Sequence, residues 1–239
     1  MREEHNQPIS LAELRASLYS TLVLGFSAPN EGILEELSDG LHEVLNQEDS
    51  LPAIPALIDG IKNLEASINS SDKTSLMEEY HRLFVGPYSL LVPPYESIYR
   101  EIPRTVMGES TLEVIKRYQE AGFLLSPSFK DLPDHIAAEL EFMALLCERE
   151  RRAWRRRDLS QAAKLLSLEE TFLRDHLLRW IPNFTSKILA STEFPFYRAL
   201  ASLVKDYVLL DLDCVCALRR LLDAEGSATP MKGETVYGS

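Results

Sequence analysis

Glycine is scarce, at 10 of 239 residues, and cysteine scarcer, at 3. So few glycines leave little material for phosphate-cradling loops, and no GxGxxG, GxxxxGK[ST] or GxSxG occurs, nor any HExxH. Nothing in the chain is assembled for bond making. The cysteines, Cys147, Cys214 and Cys216, form neither a paired framework nor a CxxC. Cys214 and Cys216 would point about 200° apart on a helix, so buried roles in a reduced, cytoplasmic protein suit all three better than redox chemistry. Long apolar runs are absent too. The run Leu22-Val23-Leu24-Gly25-Phe26 is typical and falls well short of the roughly 20 residues that span a bilayer. The segment Met1 to Pro8 lacks the apolar core of an export signal. Cations are outnumbered, 25 Lys and Arg against 37 Asp and Glu, for a net charge of −12. Nucleic acid is therefore disfavoured as a partner, whereas a basic one is permitted.

What is present is helical periodicity. Ser10-x-x-Glu13 has the form of a capping box opening a helix with a stripe of Leu11, Leu14, Leu18, Leu22 and Phe26. Further stripes follow at Ile33, Leu34, Leu37, Leu41, Val44 and Leu45, and at Ile54, Leu57, Ile58, Ile61, Leu64 and Ile68. Asp72 caps a shorter helix bearing Leu76, Tyr80, Leu83 and Phe84. Another helix is expected from the box Ser110-x-x-Glu113 to Gly122, a suitable residue just past a helix end. A long one runs from about Asp134 to Arg157, with Ile136, Leu140, Met143, Cys147 and Trp154 on one face. The spacing predicts a helix from Leu159 to Trp180, a short one starting at Pro182 and a last long one from Pro195 to about Gly226. The expectation is an all-α, single-domain bundle of about nine helices over residues 1–226, with a disordered tail at 227–239.

Between Val85 and Pro103 the periodicity breaks. Gly86-Pro87, Pro93-Pro94 and Ile102-Pro103 alternate with Tyr88, Tyr95 and Tyr99. So much proline excludes a continuous helix, yet the stretch is too apolar for a linker. An ordered loop packed on the helices is expected, its rings either plugging the core or forming a preorganised binding surface. A second constellation is Pro133-Asp134-His135 with Glu139 and Phe142-Met143. Asp134 stands where a carboxylate caps a helix, and His135 and Glu139 share a face. That pair admits a metal-dependent enzyme using Asp134, His135, Glu139 and His81, or simply a cap with an intrahelical His–Glu bond; too few histidines cluster to favour the metal. Third, six arginines lie between Arg149 and Arg157. Positive charge suits a helix C-terminus, and a phosphate-binding module is the other reading.

Taken in order, these segments resemble the TorD/DmsD family of redox-enzyme maturation chaperones. The resemblance rests on Tyr80, Leu83-Phe84, Gly86-Pro87, Pro93-Pro94-Tyr95 and Ser97-Ile98-Tyr99, then on Pro133-Asp134-His135 with Glu139 and Phe142-Met143. A third, weaker part is His176-Leu177, Trp180, Pro182, Phe184, Phe196-Tyr197 and Leu200-Ala201. It covers about residues 10–225. It implies an all-helical, non-enzymatic chaperone without a metal, which holds an immature molybdopterin oxidoreductase subunit and its twin-arginine leader until the cofactor is loaded. The resemblance gives leader or client binding to Phe84, Gly86, Pro87, Pro94, Tyr95, Ser97, Tyr99, Asp134 and His135. Tyr80, Leu83, Glu139, Phe142, His176, Trp180 and Pro182 are its structural positions. It also allows weak guanine-nucleotide binding, transient contact with the client's molybdenum cofactor, and a monomer or homodimer. Physically, Tyr95, Tyr99 and Phe84 would line a groove for the leader's apolar part, while Asp134, Glu96 and Glu101 would meet its arginines. Relatives often carry tryptophan where this chain has Tyr95, which points to a different client leader.

Overall fold

The computed structural model describes residues 2–46, 55–86, 90–102, 106–126 and 129–227. Ten α segments follow in order: α1 (Arg2–Phe26), α2 (Ile33–Leu45), α3 (Pro55–Asn69), α4 (Lys73–Tyr80), α5 (Glu96–Arg100), α6 (Glu109–Glu120), α7 (Ile136–Arg155), α8 (Leu159–Phe172), α9 (Leu178–Ser191) and α10 (Pro195–Ser227). One π turn, His81–Val85, prolongs α4, and another, Leu173–Leu177, fuses α8 to α9. The ten segments thus make nine continuous rods, and no strand occurs among the described residues. The expected tail lies outside the described residues, as do Ile54, Pro87, Tyr88 and Pro103.

The apolar stripes do what their spacing predicts. Leu14, Leu18, Leu22 and Phe26 of α1, Ile33, Leu37, Leu41 and Val44 of α2, and Leu57, Ile61, Leu64 and Ile68 of α3 are all buried. The same holds on α7 for Ile136, Leu140, Met143, Cys147 and Trp154. The two central helices, α1 and α7, lie along each other; α2 flanks α1, α8 flanks α7, and α10 spans α3, α8 and α9. Gly25 marks a close approach between α1 and α10, where a Cβ would meet Leu200 Cδ1 at 2.7 Å.

Several helix boundaries differ from expectation because tertiary partners replace local caps. Helix α1 begins at Arg2 and passes through Pro8, so Ser10 lies inside it and opens nothing. Pro8 is the seventh residue of α1, so the helix gives up one internal hydrogen bond there. Ser110 does not cap α6 either. It is the second helical residue, and the Glu101 carboxylate accepts from its N–H at 3.0 Å and from its hydroxyl at 2.7 Å. Gly108 is needed for this, since a Cβ there would sit 1.6 Å from Glu101 Oε2. Pro182 lies within α9 and does not start a helix, because the chain reaches it through the widened π turn. Asp72 and Gly122 behave as expected. Asp72 accepts from the Ser75 N–H, and Gly122, at φ 73°, closes α6 with Phe123 N–H donating to the Tyr118 carbonyl.

One buried ionic group links four helices. The Arg15 guanidinium of α1 donates to Glu150 on α7 at 2.6 Å, to Glu169 on α8 at 2.5 Å and to Asp211 on α10 at 2.5 Å. Tyr19 donates to Asp211 and Trp154 to Glu150. Burial pushes the Glu150 and Glu169 carboxyls above the usual range, and Arg15 pulls them part of the way back. Replacing Arg15 by Met leaves three buried acids without their cation, and should lower stability by about 3–5 kcal/mol in urea unfolding. Carboxyls raised in the folded state bind more protons there than in the unfolded chain, so the deficit should grow as pH rises above the ordinary carboxylate range.

Candidate functional site

Two loops separated by some forty residues of chain are tied into one short clamp. Tyr95 and His135 form an isolated antiparallel bridge. The Ile136 N–H donates to the Pro94 carbonyl at 2.9 Å, and the Glu96 N–H donates to the Asp134 carbonyl at 3.0 Å. Two α-helices therefore start from the same knot: α5 leaves from Tyr95 and α7 from His135. Each cap comes from an unexpected side chain. Asp134 does not cap its own helix; its Oδ2 accepts from the Ser97 N–H at 2.9 Å and so caps α5. For α7 the cap is His135, whose Nδ1 accepts from the Ala137 N–H at 3.1 Å. An accepting Nδ1 places the proton of the neutral ring on Nε2, 3.8 Å from Asp131 Oδ2. Burial lowers the His135 pKa, only partly offset by Asp131 and Asp134.

Gly86 delivers the first loop. Its φ of 56° with ψ of 156° is a region open in practice to glycine alone, which explains a glycine at this point of the motif. Val92 then donates to the Leu83 carbonyl at 2.8 Å, folding the loop back on the π turn. The Tyr95 hydroxyl donates to Asp131 Oδ1 at 2.9 Å, and its ring meets the His135 ring edge-on with centroids 5.5 Å apart.

Behind the clamp lies a line of buried polar groups. Glu96, fully buried, accepts from Arg100 at 2.5 Å and from His176 Nδ1 at 3.0 Å. Glu139, also fully buried, accepts from the Trp180 indole at 3.0 Å. Burial and then the neighbouring Glu96 charge raise the Glu139 pKa well above the usual range, which favours the protonated carboxyl. The expected His135–Glu139 side-chain bond does not form, because each group is claimed by a different partner.

The chain also compares clearly with known proteins. The sequence model of the family described as "Nitrate reductase delta subunit" matches residues 34–186, well over half of the chain. The chain belongs to that family. Among its curated relatives are the Tat proofreading chaperone DmsD of Salmonella typhi, 27% identical over 69% of this chain and 74% of that one, and the chaperone protein TorD of Photobacterium profundum, 25% identical over 85% and 94%. A crystal structure titled as a putative redox enzyme maturation protein from Archaeoglobus fulgidus shares the fold, with a TM-score of 0.52 and 21% identity over 81% of this chain and 93% of that one. The TorD/DmsD resemblance and the all-helical class expected from sequence agree with these matches. So does a non-enzymatic protein, since the relatives are named chaperones.

The structure sorts this family member's motif residues by accessibility. Pro94, Ser97, Asp134 and His135 are buried in the clamp, and Phe84 is buried in the core among Phe26, Tyr80, Phe184 and Tyr197. Phe84 therefore lines no groove. Tyr80, Leu83, Phe142 and Trp180 are core as well, and burial pushes the Tyr80 hydroxyl up to about 12. Tyr99 stacks on Trp180, centroids 5.6 Å apart, and is half-buried like Tyr95. Pro182 serves within α9, its carbonyl accepting from Ser186 and Thr185. The acids expected to meet arginines are otherwise engaged, Glu96 with Arg100 and His176, Asp134 with Ser97 and Glu101 with Ser110. Asp131, which sequence reasoning passed over, is the exposed carboxylate beside Tyr95. Its i, i+4 spacing to His135 was the available signal.

Asp134, His135, Glu139 and His81 do not gather into an ion-sized group. Among the described residues the group with such spacing is Cys147, Glu150 and Glu169, where the Arg15 guanidinium already engages both carboxylates. Within the arginine run, Arg149 covers the Phe123 ring and donates to the Ala121 carbonyl, Arg151 and Arg152 pair with Glu148, and Arg155 pairs with Glu13. Among the described residues no helix is long and apolar enough to cross a membrane.

Glutamine is the neutral mimic of a protonated Glu139, and its amide oxygen can still accept from the Trp180 indole. Glu139→Gln should stay within about 1 kcal/mol of the parent near the ordinary carboxylate range, and should gain on it as pH rises, because the parent must hold a proton that solution no longer favours. Chemical unfolding at several pH values measures this; a constant difference across pH would contradict a protonated Glu139.

Proposed function

We propose that the chain is a chaperone of redox-enzyme maturation that grips the twin-arginine leader of a molybdopterin oxidoreductase subunit through the face of the Tyr95–His135 clamp. The observation that carries this reading is the clamp itself. It fixes Tyr95 and the exposed Asp131 side by side at the starts of two helices, so little entropy is lost in ordering the protein's half of the contact. Asp134, Ser97, Pro94 and His135 act here as positioning residues beneath the contact surface.

The chemistry matches a leader with a cationic head and an apolar stretch. Asp131 offers a carboxylate for a guanidinium, in a chain of net charge −12. One turn along α7, beyond Ala138, opens an apolar cleft of about 170 Å³. Phe123, Leu124, Leu125, Phe129 and Leu145 line it, with Glu141 at its edge. Leu124 is 84% exposed, an apolar side chain whose burial by a partner would be favourable. A leader with its arginines at Asp131 and its apolar segment along this cleft would bury both features at once. The names of the relatives, proofreading chaperones among them, support the reading.

The test is calorimetry with a synthetic twin-arginine leader peptide of a molybdopterin oxidoreductase. Tyr95→Ala and Asp131→Asn should each weaken binding by about tenfold or more, while far-ultraviolet circular dichroism stays that of the parent. Unchanged affinity in both variants, with an intact fold, would remove the clamp face from the client site.

A further inference from the structure

On the side of Glu96 away from the clamp, α5, α6 and the π turn before α9 enclose a polar cavity of about 230 Å³. Its walls carry four cations, Arg100, Lys116, Arg117 and Arg179. Two carboxylates, Glu113 and Asp175, and the His176 imidazole complete the lining. The cations are neutralised unequally. Arg100 donates to Glu96 at 2.5 Å and meets Glu113 at 3.6 Å, and Arg117 donates to Glu120 at 3.0 Å and meets Asp175 at 3.8 Å. Lys116 reaches only Glu120, at 3.9 Å, and is 72% exposed. Arg179 has no ion-pair partner among the described residues. The two lining carboxylates are about half exposed.

We propose that this cavity is a binding site for a phosphoryl-type dianion, either free phosphate or pyrophosphate or the phosphate ester of a larger molecule. Converging guanidinium and ammonium groups suit tetrahedral oxyanions, with arginine offering paired donors and lysine a point charge. The cavity has nothing with which to read a nucleobase. Its one ring, His176, is already stacked on Phe172 with centroids 4.8 Å apart and bonded to Glu96. An anion here shares Arg100 with Glu96, the first residue of α5, so occupancy reaches the backbone of the Tyr95 loop through a single side chain.

Inorganic pyrophosphate in low-salt buffer is the probe, with calorimetry and ¹⁵N-resolved amide spectra of the full chain as readouts. The parent should bind it saturably, with shifts at the Glu96 and Ser97 amides. Lys116→Ser with Arg179→Ser should weaken binding by about tenfold or more, since two charge-assisted contacts go. Arg155→Ser with Arg156→Ser, at the far end of α7, should leave binding within about twofold, which separates this cavity from the arginine run. ADP and GDP should each bind within about threefold of pyrophosphate, because only the phosphates are read. Failure of the parent to saturate, equal loss in both double variants, or a nucleotide preference above about tenfold would each overturn the assignment.

Discussion

Asp134 holds the two motif loops together by using its backbone and side chain on the same target. Its carbonyl accepts from Glu96, its carboxylate from Ser97, and the residue after it bridges to Tyr95. The two bonds to Asp134 set where α5 begins, and Ile136 bonded to Pro94 sets where α7 begins. A helix start exposes unsatisfied N–H groups, and a buried one needs a partner. Here two buried starts satisfy each other. That mutual dependence explains why two motifs so far apart in the chain occur together, and why proline, which fixes the backbone and donates nothing, is tolerated at Pro94.

The clamp is backed by charge arranged to stay internal. Glu96 has two cationic or donating partners, and burial beside it favours the neutral form of Glu139. The Arg15 group sets one cation among three acids, and burial raises two of them, Glu150 and Glu169. The acids of both clusters are buried, and of their partners Arg100 is the one that reaches toward the surface. The groups left to act on other molecules are those at the rims: Tyr95, Asp131 and the apolar cleft on one side of α5, and the cationic cavity on the other.

Much of this was legible in the sequence, for identifiable reasons. The helices followed from stripes such as Leu14–Leu18–Leu22, whose spacing encodes a buried face without reference to any partner. The break in periodicity followed from its prolines, though the short helix α5 within the expected loop did not, and the family followed from the order of its motifs. Helix starts were less legible. Ser10 and Ser110 have the residue pattern of capping boxes, but the caps that matter come from Glu101, Asp134 and His135, and a cap across the fold leaves no local spacing to read. The same limit applied to accessibility. Phe84, Ser97 and Asp134 stand in the motif beside Tyr95, yet whether a motif side chain faces solvent or supports one that does depends on α9 and α7, distant in sequence. Asp131 was overlooked because it precedes the motif by a turn and gains meaning only from the Tyr95 hydroxyl.

The π turn at Leu173–Leu177 has a consequence for how this bundle tolerates change. It holds one residue more than an α turn, so the side chains beyond it are rotated by about 100° relative to those before it. The α8 half faces α7, the α9 half faces α5, and both halves meet α10. One rod therefore serves two sets of neighbours whose registers need not agree. The bulge thus divides the rod into two packing units. Drift in the half that packs against the central helices need not disturb Trp180 and Phe184 under the loop, and the loop's support can be retuned without repacking the core.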